Sequence, residues 1–326
     1  MFYRKIYEES MKVKLWGVRG SLPTPISNNE YRTKIKYILK NAIAYGLSAE
    51  DDIDRFMKTL PDHLGYTYGG NTTCVSVTSN SGATFIFDCG TGLRNLGEEL
   101  SNGAAENSDI PIKLFITHTH WDHIQGLPFF KPLYIPGYTL DFYSPNEDLE
   151  DRLTKQMDFQ FFPASLQSTG SSKNFNIITP GEEYTFDDIT VDCYPLKHPG
   201  GSYAYRVREN NKTFIFCTDV EITGETLEQL GNHSDFFLNA DLMVLDSQYT
   251  LDESFQKFSW GHTCYTVAVN CGVRWNVRNL VLTHHEPAYS DHKLKEIHTN
   301  ALEHRNELRA SMPNIYMARE GMSFAL

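Results

Sequence analysis

Residues 117–123 read THTHWDH and come directly after an apolar run, IKLFI, at residues 112–116. The run predicts a buried strand, and the polar stretch predicts a turn at the carboxyl end of that strand. Three imidazoles and one carboxylate gather there, from His118, His120, His123 and Asp122. Because imidazole nitrogens and carboxylate oxygens are the ligands that zinc-like ions prefer, the stretch predicts a metal site. The alternative is a solvated, histidine-rich turn.

Further candidate ligands follow predicted strands later in the chain. His198 comes after the strand at residues 189–196, Asp219 after 213–218, and the pair His284 and His285 after 280–283. Taken alone, His198 and Asp219 are equally typical of loops and caps. Because they follow strands, as the cluster at residues 118–123 does, we expect them to join the same metal site. Adjacent side chains of an extended segment point apart, so only one residue of the pair can reach a shared site.

The region from residue 26 to residue 66 predicts two amphipathic helices between strands. Ser27 and Glu30 have the spacing of a capping box, and Gly46 is a typical stop for the first helix. The second is predicted from Ser48 to Pro61. Near the end of the chain, residues 315–318 and 322–325 predict a terminal β-hairpin.

Composition limits the class of protein. With 40% hydrophobic residues the chain can bury a sizeable core, and it contains no apolar run near the ~20 residues of a membrane span. We therefore expect no membrane association. Residues 1–10 are charged without a continuous apolar stretch, and the six cysteines contain no CxxC pair, which favours reduced thiols and a cytoplasmic protein. The formal net charge of -12 argues against a long nucleic acid as partner.

The order of these motifs resembles the metallo-β-lactamase superfamily. Motifs at residues 15–25, 69–72, 88–92, 198–201 and 284–287 are similar to the branch that contains cyclic phosphodiesterases and phosphoribosyl cyclic phosphodiesterase-like hydrolases. The resemblance implies an α/β fold, a four-layer αββα sandwich formed by a single domain over residues 1–326. The helical hairpin at 26–66 would then be an insertion, acting as a lid or a dimer arm, and we expect a homodimer.

The resemblance also implies two divalent metal ions. Zinc is expected, although mixed nitrogen and oxygen ligation suits manganese or iron as well. Asp219 would bridge the two ions. The implied ligands are His118, His120 and His198 for one ion, and Asp122, His123 and His284 for the other.

The reaction implied by the resemblance is hydrolysis of a small phosphodiester substrate, a cyclic nucleotide or a cyclic ribosyl phosphate, by hydroxide held between the metals. Asp122 and His262 are the expected catalytic residues. His262 lies in a Gly-His-Thr motif similar to one in phosphodiesterase branches, and it would stabilise charge at phosphorus or protonate the leaving alkoxide. A loop that caps the next helix is the alternative. Asn71, Arg19 and His285 are candidate substrate contacts, against plain turn or structural roles.

Other functions share this scaffold. An RNA-processing nuclease is disfavoured by the acidic balance and by the absence of an evident basic arm, and a secreted β-lactamase by the lack of a signal. A thioester or lactone hydrolase fits the Gly-His-Thr motif less well. A non-catalytic cyclic-nucleotide-binding sensor belongs to a different class, and the complete set of expected ligands argues against it.

Overall fold

A computed structural model describes residues 11–102, 111–223, 227–228 and 234–326. Residues 1–10, where the sequence predicts no export signal, lie outside the described residues. The strands are β1 Lys12–Gly17, β2 Cys74–Thr78, β3 Thr84–Phe87, β4 Ile112–Phe115, β5 Thr139–Ser144, β6 Ser172–Ile177, β7 Tyr184–Phe186, β8 Ile189–Leu196, β9 Ser202–Glu209, β10 Lys212–Cys217, β11 Leu242–Asp246, β12 Asn279–Thr283, β13 Asn314–Met317 and β14 Ser323–Ala325.

The helices surround these strands. They are α1 Asn28–Tyr45, α2 Ile53–Met57, α3 Asp62–Gly65, α4 Leu93–Asn102, α5 Trp121–Ile124, α6 Leu149–Gln156, α7 Leu251–Gln256, α8 Tyr265–Arg274 and α9 Asp291–Glu307. Within the described ranges, no helix is both long and apolar enough to cross a bilayer.

The strands form two seven-stranded mixed sheets. The first has the order β14-β1-β2-β3-β4-β5-β6, and the second has the order β13-β12-β11-β10-β9-β8-β7. Apolar side chains of both sheets meet in a buried layer that includes Val75, Phe85, Phe115, Phe214 and Val244. Facing sheets bury their apolar sides against each other in this way.

Helices cover the outer faces of the sheets. On the first sheet, Leu93 and Leu96 of α4 and Leu153 of α6 belong to one buried cluster. On the second, Ala268 of α8 and Leu294 of α9 belong to another. The architecture is therefore the expected α/β sandwich, with helix, sheet, sheet and helix as successive layers.

Strand direction brings the candidate ligands to one edge. In the first sheet, β3 and β4 run parallel. In the second, β10, β11 and β12 run parallel, and β8 shares their direction because β9 is antiparallel to both β8 and β10. Loops that follow parallel strands emerge at the same end of a sheet. The carboxyl ends of β4, β8, β10 and β12 therefore deliver their ligands to a common cleft.

The inserted region is helical, as expected, but its second half differs from the prediction. The side chain of Ser27 accepts a hydrogen bond from the Glu30 N–H at the start of α1, and Gly46 ends that helix in a left-handed conformation. The predicted second helix is instead a 3-10 turn, the short helix α2 and the separate α3. Phe56 is the buried residue of α2, and one anchor does not stabilise a long helix in water.

The predicted terminal hairpin is wrong. β13 pairs in parallel with β12 of the second sheet, whereas β14 pairs antiparallel with β1 of the first. The turn between them passes from one sheet to the other, and the Gly321 N–H donates to the Leu15 carbonyl there. Both segments are strands, but they are not partners.

Candidate metal centre

Two groups of potential metal ligands that share one residue lie side by side at the cleft, next to a third group formed by Asp246, His262 and His284. In each, the candidate nitrogen and oxygen atoms are within 4.8 Å of one another. Asp219 belongs to both. The first group is His118, His120, His198 and Asp219, and the second is Asp122, His123, Asp219 and His284.

Asp219 turns one carboxylate oxygen toward each group. Its Oδ1 lies 3.7 Å from His118 Nε2 and 3.8 Å from His198 Nε2. Its Oδ2 lies 3.0 Å from His123 Nε2 and 3.2 Å from His284 Nε2. Ligands of one tetrahedral zinc ion, at bonds of roughly 2.0–2.2 Å, are separated by about 3.4 Å. The spacing is that of a carboxylate shared between two cation sites.

Left-handed backbone aims several side chains into the cleft. Asp219 has φ 55° and His284 has φ 62°, and Asp88 at the end of β3 has φ 61°. Non-glycine residues in this conformation are uncommon and cost about 1–3 kcal/mol when the surrounding structure holds them there. Asp88 and His284 lie directly after their strands and Asp219 lies one residue further on, so each left-handed turn reverses a side chain toward the centre.

Two glycines permit close approach to the candidate ligands. A Cβ atom on Gly20 would lie 2.4 Å from His284 Nδ1, and one on Gly261 would lie 2.3 Å from His198 Nδ1. Gly261 also has φ +90°. The Gly261 carbonyl lies 2.8 Å from His198 Nδ1 and accepts a hydrogen bond from it. Larger residues at either position would displace an imidazole from the cleft.

Asp88 holds the loop that follows β4 and orients His123 of the second group. Its carboxylate accepts hydrogen bonds from the N–H and hydroxyl of Thr117, at 2.8 and 2.9 Å, and lies 2.8 Å from His123 Nδ1. A carboxylate on the outer ring nitrogen fixes the orientation of an imidazole and turns its other nitrogen toward a metal. Asp88 is therefore a positioning residue in this arrangement.

The unpaired atoms of the cleft fit divalent cations. His118 Nε2 is buried and has no hydrogen-bond partner among the described residues, and the buried His123 Nε2 faces the carboxylate oxygens of Asp219 and Asp122. Unsatisfied buried nitrogens are costly, and in metalloproteins a cation satisfies them. Asp122 adds a second carboxylate, with Oδ2 at 3.2 Å from His123 Nε2 and 3.1 Å from His284 Nε2. The clusters therefore suit a dinuclear metal site.

Electrostatics differ between the two groups. Burial lowers the pKa of His118 and His198 and favours the neutral imidazoles that bind metals. Burial also opposes the charged form of His123, but the carboxylates of Asp219 and Asp122 raise its pKa well above the ordinary value. For His284, burial likewise opposes the charged form, but the Asp219 carboxylate outweighs it and the pKa rises to about 9. The second group thus attracts positive charge.

His262 lies beside both groups. Its ring centroid is 4.8 Å from that of His284 and 5.3 Å from that of His198. His262 Nδ1 lies 2.8 Å from Asp246 Oδ2, and a carboxylate at that distance accepts the Nδ1 proton. Nε2 is then the nitrogen that remains for proton transfer.

Asp246 is a site residue that the sequence interpretation missed. It is fully buried at the end of β11, and it accepts hydrogen bonds from the N–H groups of Asp219 and Thr263 as well as from His262. The available signal was the one used for Asp219, a carboxylate directly after an apolar strand, LMVL. Asp246 therefore connects the Asp219 turn to the Gly-His-Thr loop.

The three candidate substrate contacts have protein partners. Arg19 is buried and donates to the carbonyls of Gly69 and Tyr289, both at 2.8 Å. Asn71 donates to the Glu320 carboxylate through its N–H and its side-chain amide. These bonds hold the loops next to β1 and β2.

His285 faces away from the cleft, unlike its neighbour His284. Its Nε2 donates to the Ala318 carbonyl at 2.8 Å, and burial lowers its pKa to about 3. Of the adjacent pair, the structure therefore places His284 in the cluster and uses His285 to join the end of β12 to the end of β13.

Comparison with known families matches this geometry. A family model described as the beta-lactamase superfamily domain matches residues 83–285, more than half of the chain. The chain belongs to the metallo-β-lactamase superfamily. The resemblance expected from the motifs is thereby confirmed, as is the fold. Within the superfamily, the paired His and Asp clusters identify this chain as a metallo-β-lactamase-fold hydrolase.

Similar proteins extend the comparison. Ribonuclease Z of Prochlorococcus marinus strain MIT 9515 is 25% identical over 292 residues, which cover 74% of this chain and 89% of that protein. Among solved structures, the metallo-β-lactamase fold protein YhfI from Bacillus subtilis covers 97% of this chain and 99% of its own at 17% identity, with a TM-score of 0.61. Unliganded yeast PDE1 covers 97% of this chain and 99% of its own at 15% identity, with a TM-score of 0.60.

 The short form of human tRNase Z covers 96% of this chain and 98% of its own at 16% identity, with a TM-score of 0.58.

Proposed function

We propose that this protein is a metal-dependent phosphodiesterase that hydrolyses a small phosphodiester, with a cyclic nucleotide or cyclic ribosyl phosphate as the substrate class. The observation that carries the proposal is the pair of ligand groups sharing Asp219, with His262 beside both. When bound, two divalent cations would act as Lewis acids toward phosphoryl oxygens and would lower the pKa of water. Zinc is our first choice of metal, with manganese or iron as alternatives.

The protein's own residues would hold this site in place. Neutral imidazoles in the first group would bind one cation without cancelling its charge. Asp219 and Asp122 provide two carboxylates for the four positive charges of two such cations. Asp88, through His123, and the Gly261 carbonyl, through His198, would keep the ligand rings oriented.

His262 is the proposed general acid. Asp246 accepts its Nδ1 proton, which fixes the ring and leaves Nε2 facing the reaction. A proton on Nε2 would pass to the leaving alkoxide as its bond to phosphorus breaks.

RNA processing is the second candidate function. The similarity to ribonuclease Z of Prochlorococcus marinus favours it, because the match covers 89% of the length of that enzyme. An RNA strand and a small phosphodiester present the same scissile group, so the metal ligands do not separate the two. The formal charge of -12 favours the smaller substrate.

We also propose that the insertion at residues 26–66 is a dimer arm. Ile35, Leu39 and Ile43 of α1 are exposed and recur every four residues, so they form one apolar stripe on the helix. Lys34 and Glu30 anchor the helix to Asp291, the first residue of α9. The apolar stripe therefore belongs to a helix that is fixed to the body of the protein.

The decisive assay compares ester classes. Protein loaded with zinc or manganese is expected to hydrolyse bis-p-nitrophenyl phosphate and at least one member of a cyclic nucleotide panel. His120→Ala removes one candidate ligand and should abolish turnover, whereas His292→Ala, on an exposed residue of α9, should not. Turnover of thioesters or lactones without any phosphodiester hydrolysis would refute the proposal, and cleavage restricted to RNA would favour the second candidate.

A further inference from the structure

An open groove lies next to the exposed side of the candidate metal centre. Its volume is about 740 Å³, which is within the roughly 300–1,000 Å³ typical of small-molecule sites. Six of the residues that line it are aromatic or cationic: Trp121, Phe129, Arg152, Lys155, Phe161 and Phe162.

The groove borders the loop that carries four of the candidate metal ligands. Thr119 and Trp121 line it, and they are the chain neighbours of His120, which is itself exposed. Arg152 donates from Nη1 to the Thr119 hydroxyl at 2.9 Å, and this bond joins α6 to the ligand loop. A molecule whose phosphodiester lies at the metal centre can therefore extend directly into the groove.

The aromatic rings of the groove are unusually exposed. Trp121 is 79% exposed, Phe161 77% and Phe129 57%. Phe129 is held by an edge-on contact with Phe162, at 5.5 Å between ring centroids. Large exposed aromatic side chains grouped at a cleft are typical of binding surfaces, because a bound ligand covers the apolar area that the fold leaves exposed to water.

The polar rim also fits a nucleobase. Gln125 and Gln160 line the groove and offer amide donors and acceptors of the kind that pair with base edges. Arg152 and Lys155 are paired with Asp148 and Asp151, so the rim carries little net charge. This suits a flat, neutral, hydrogen-bonding ring system better than a polyanion.

We propose that this groove binds the nucleobase of a small nucleotide substrate while the phosphodiester of that substrate lies at the metal centre. The inference rests on the proposed function and adds its substrate class. Trp121 and Phe161 supply faces on which the base stacks, and stacking of this kind tolerates different bases. The groove is open and contains no enclosed channel for an acyl chain. It therefore suits a nucleobase better than the acyl chain of a thioester substrate.

The test is a binding measurement on the full-length, zinc-loaded protein. Isothermal titration calorimetry compares adenosine 5′-monophosphate with ribose 5-phosphate, which has the same sugar phosphate without the base. We expect the nucleotide to bind about tenfold more tightly, as one stacked base predicts. The double variant Trp121→Ala, Phe161→Ala should bring the ratio of the two affinities close to one. Tyr37→Ala, an exposed aromatic residue on α1, is the matched control and should leave the ratio unchanged.

Several results would overturn the assignment. Equal affinities in the unaltered protein, or an unchanged ratio in the double variant, would remove the base subsite. Loss of ribose 5-phosphate binding in the double variant would also do so, because a base subsite leaves the sugar phosphate unaffected. If a triadenylate binds more than about tenfold more tightly than the mononucleotide, the ligand of the groove is an oligonucleotide strand and not a small nucleotide.

The binding test and the hydrolysis assay fail independently. If the nucleotide binds about tenfold more tightly than ribose 5-phosphate but no phosphodiester is hydrolysed, the proposed function is wrong and the groove remains a nucleotide site. Hydrolysis of bis-p-nitrophenyl phosphate together with equal affinities would leave the proposed function standing and remove the base-binding groove.

Discussion

At the scale of single residues, the cleft is built from imidazoles whose outer ring nitrogens are held by carboxylate or carbonyl oxygens. Asp88 contacts His123, the Gly261 carbonyl contacts His198, and Asp246 contacts His262. This is how metal and catalytic imidazoles are oriented in proteins generally. The strand-end His and Asp residues could be predicted from sequence, because each follows an apolar run. Asp246 carried the same signal.

His262→Ala is the first prediction at this scale. If His262 protonates the leaving group, the variant should lose roughly 10²- to 10⁴-fold in kcat on an alkyl phosphodiester and far less on a p-nitrophenyl ester, whose leaving group needs little help. Steady-state kinetics on both esters measure the difference. His292→Ala is the control, and metal content should be unchanged in both variants. Equal losses on the two esters would exclude the acid role.

The substrate contacts could not be predicted at the residue scale. Arg19 and Asn71 lie in glycine-rich turns near strand ends, a position equally suited to binding and to structure. The structure gives both residues long-range partners: Arg19 donates to the carbonyls of Gly69 and Tyr289, and Asn71 donates to the Glu320 carboxylate. Such contacts connect residues far apart in sequence, so local patterns do not reveal them.

At the scale of elements, apolar runs predicted the strands well, whereas their pairing was harder to predict. β8 occupies Ile189–Leu196, as expected, because its apolar side chains alternate beside a clear turn. The two terminal strands were predicted as partners from the turn between them, but they join different sheets. Periodicity indicates that a segment is a strand; the choice of partner depends on contacts across the whole chain.

The contact between α9 and β13 gives a prediction about pH. His298 donates from Nε2 to the Ile315 carbonyl at 2.9 Å, and burial lowers its pKa below the ordinary value. The unfolded chain then binds a proton at His298 more readily than the native state, so the free energy of unfolding falls as the pH drops below about 6.5.

His298→Gln keeps an amide donor but cannot titrate. Between about pH 7.5 and about pH 5.5, it should lose less stability than the unaltered protein, by up to about 1 kcal/mol. Urea unfolding of metal-free protein at the two pH values measures this. His292→Gln, on an exposed residue of the same helix, should behave as the unaltered protein does. The same pH dependence in all three proteins would contradict the assignment.

At the scale of the whole molecule, two sheets bring distant segments of the chain to one edge, and this convergence makes the candidate centre. The helical insertion is the part that the sandwich does not require. The boundaries of its first helix, α1, were predictable because Ser27 and Gly46 are strong local signals. Its second half was not, because acidic residues and one buried anchor, Phe56, leave only short helices.

The proposed dimer arm gives the prediction for assembly. Leu39→Asp places a charge in the apolar stripe of α1 and should convert a dimer into a monomer, since burying an unpaired charge is costly. Light scattering at micromolar concentration measures the mass. Asn41→Asp, on the opposite side of the same helix, should leave the dimer intact. A monomeric mass for the unaltered protein would remove the dimer arm.

The most direct test of the central claim is anomalous diffraction from crystals of the zinc-loaded protein. We predict two zinc peaks per chain, separated by roughly 3.5–4 Å, with the Asp219 carboxylate between them. One peak should lie among His118, His120 and His198, and the other among Asp122, His123 and His284. A single peak, or zinc bound only away from Asp219, would contradict the account.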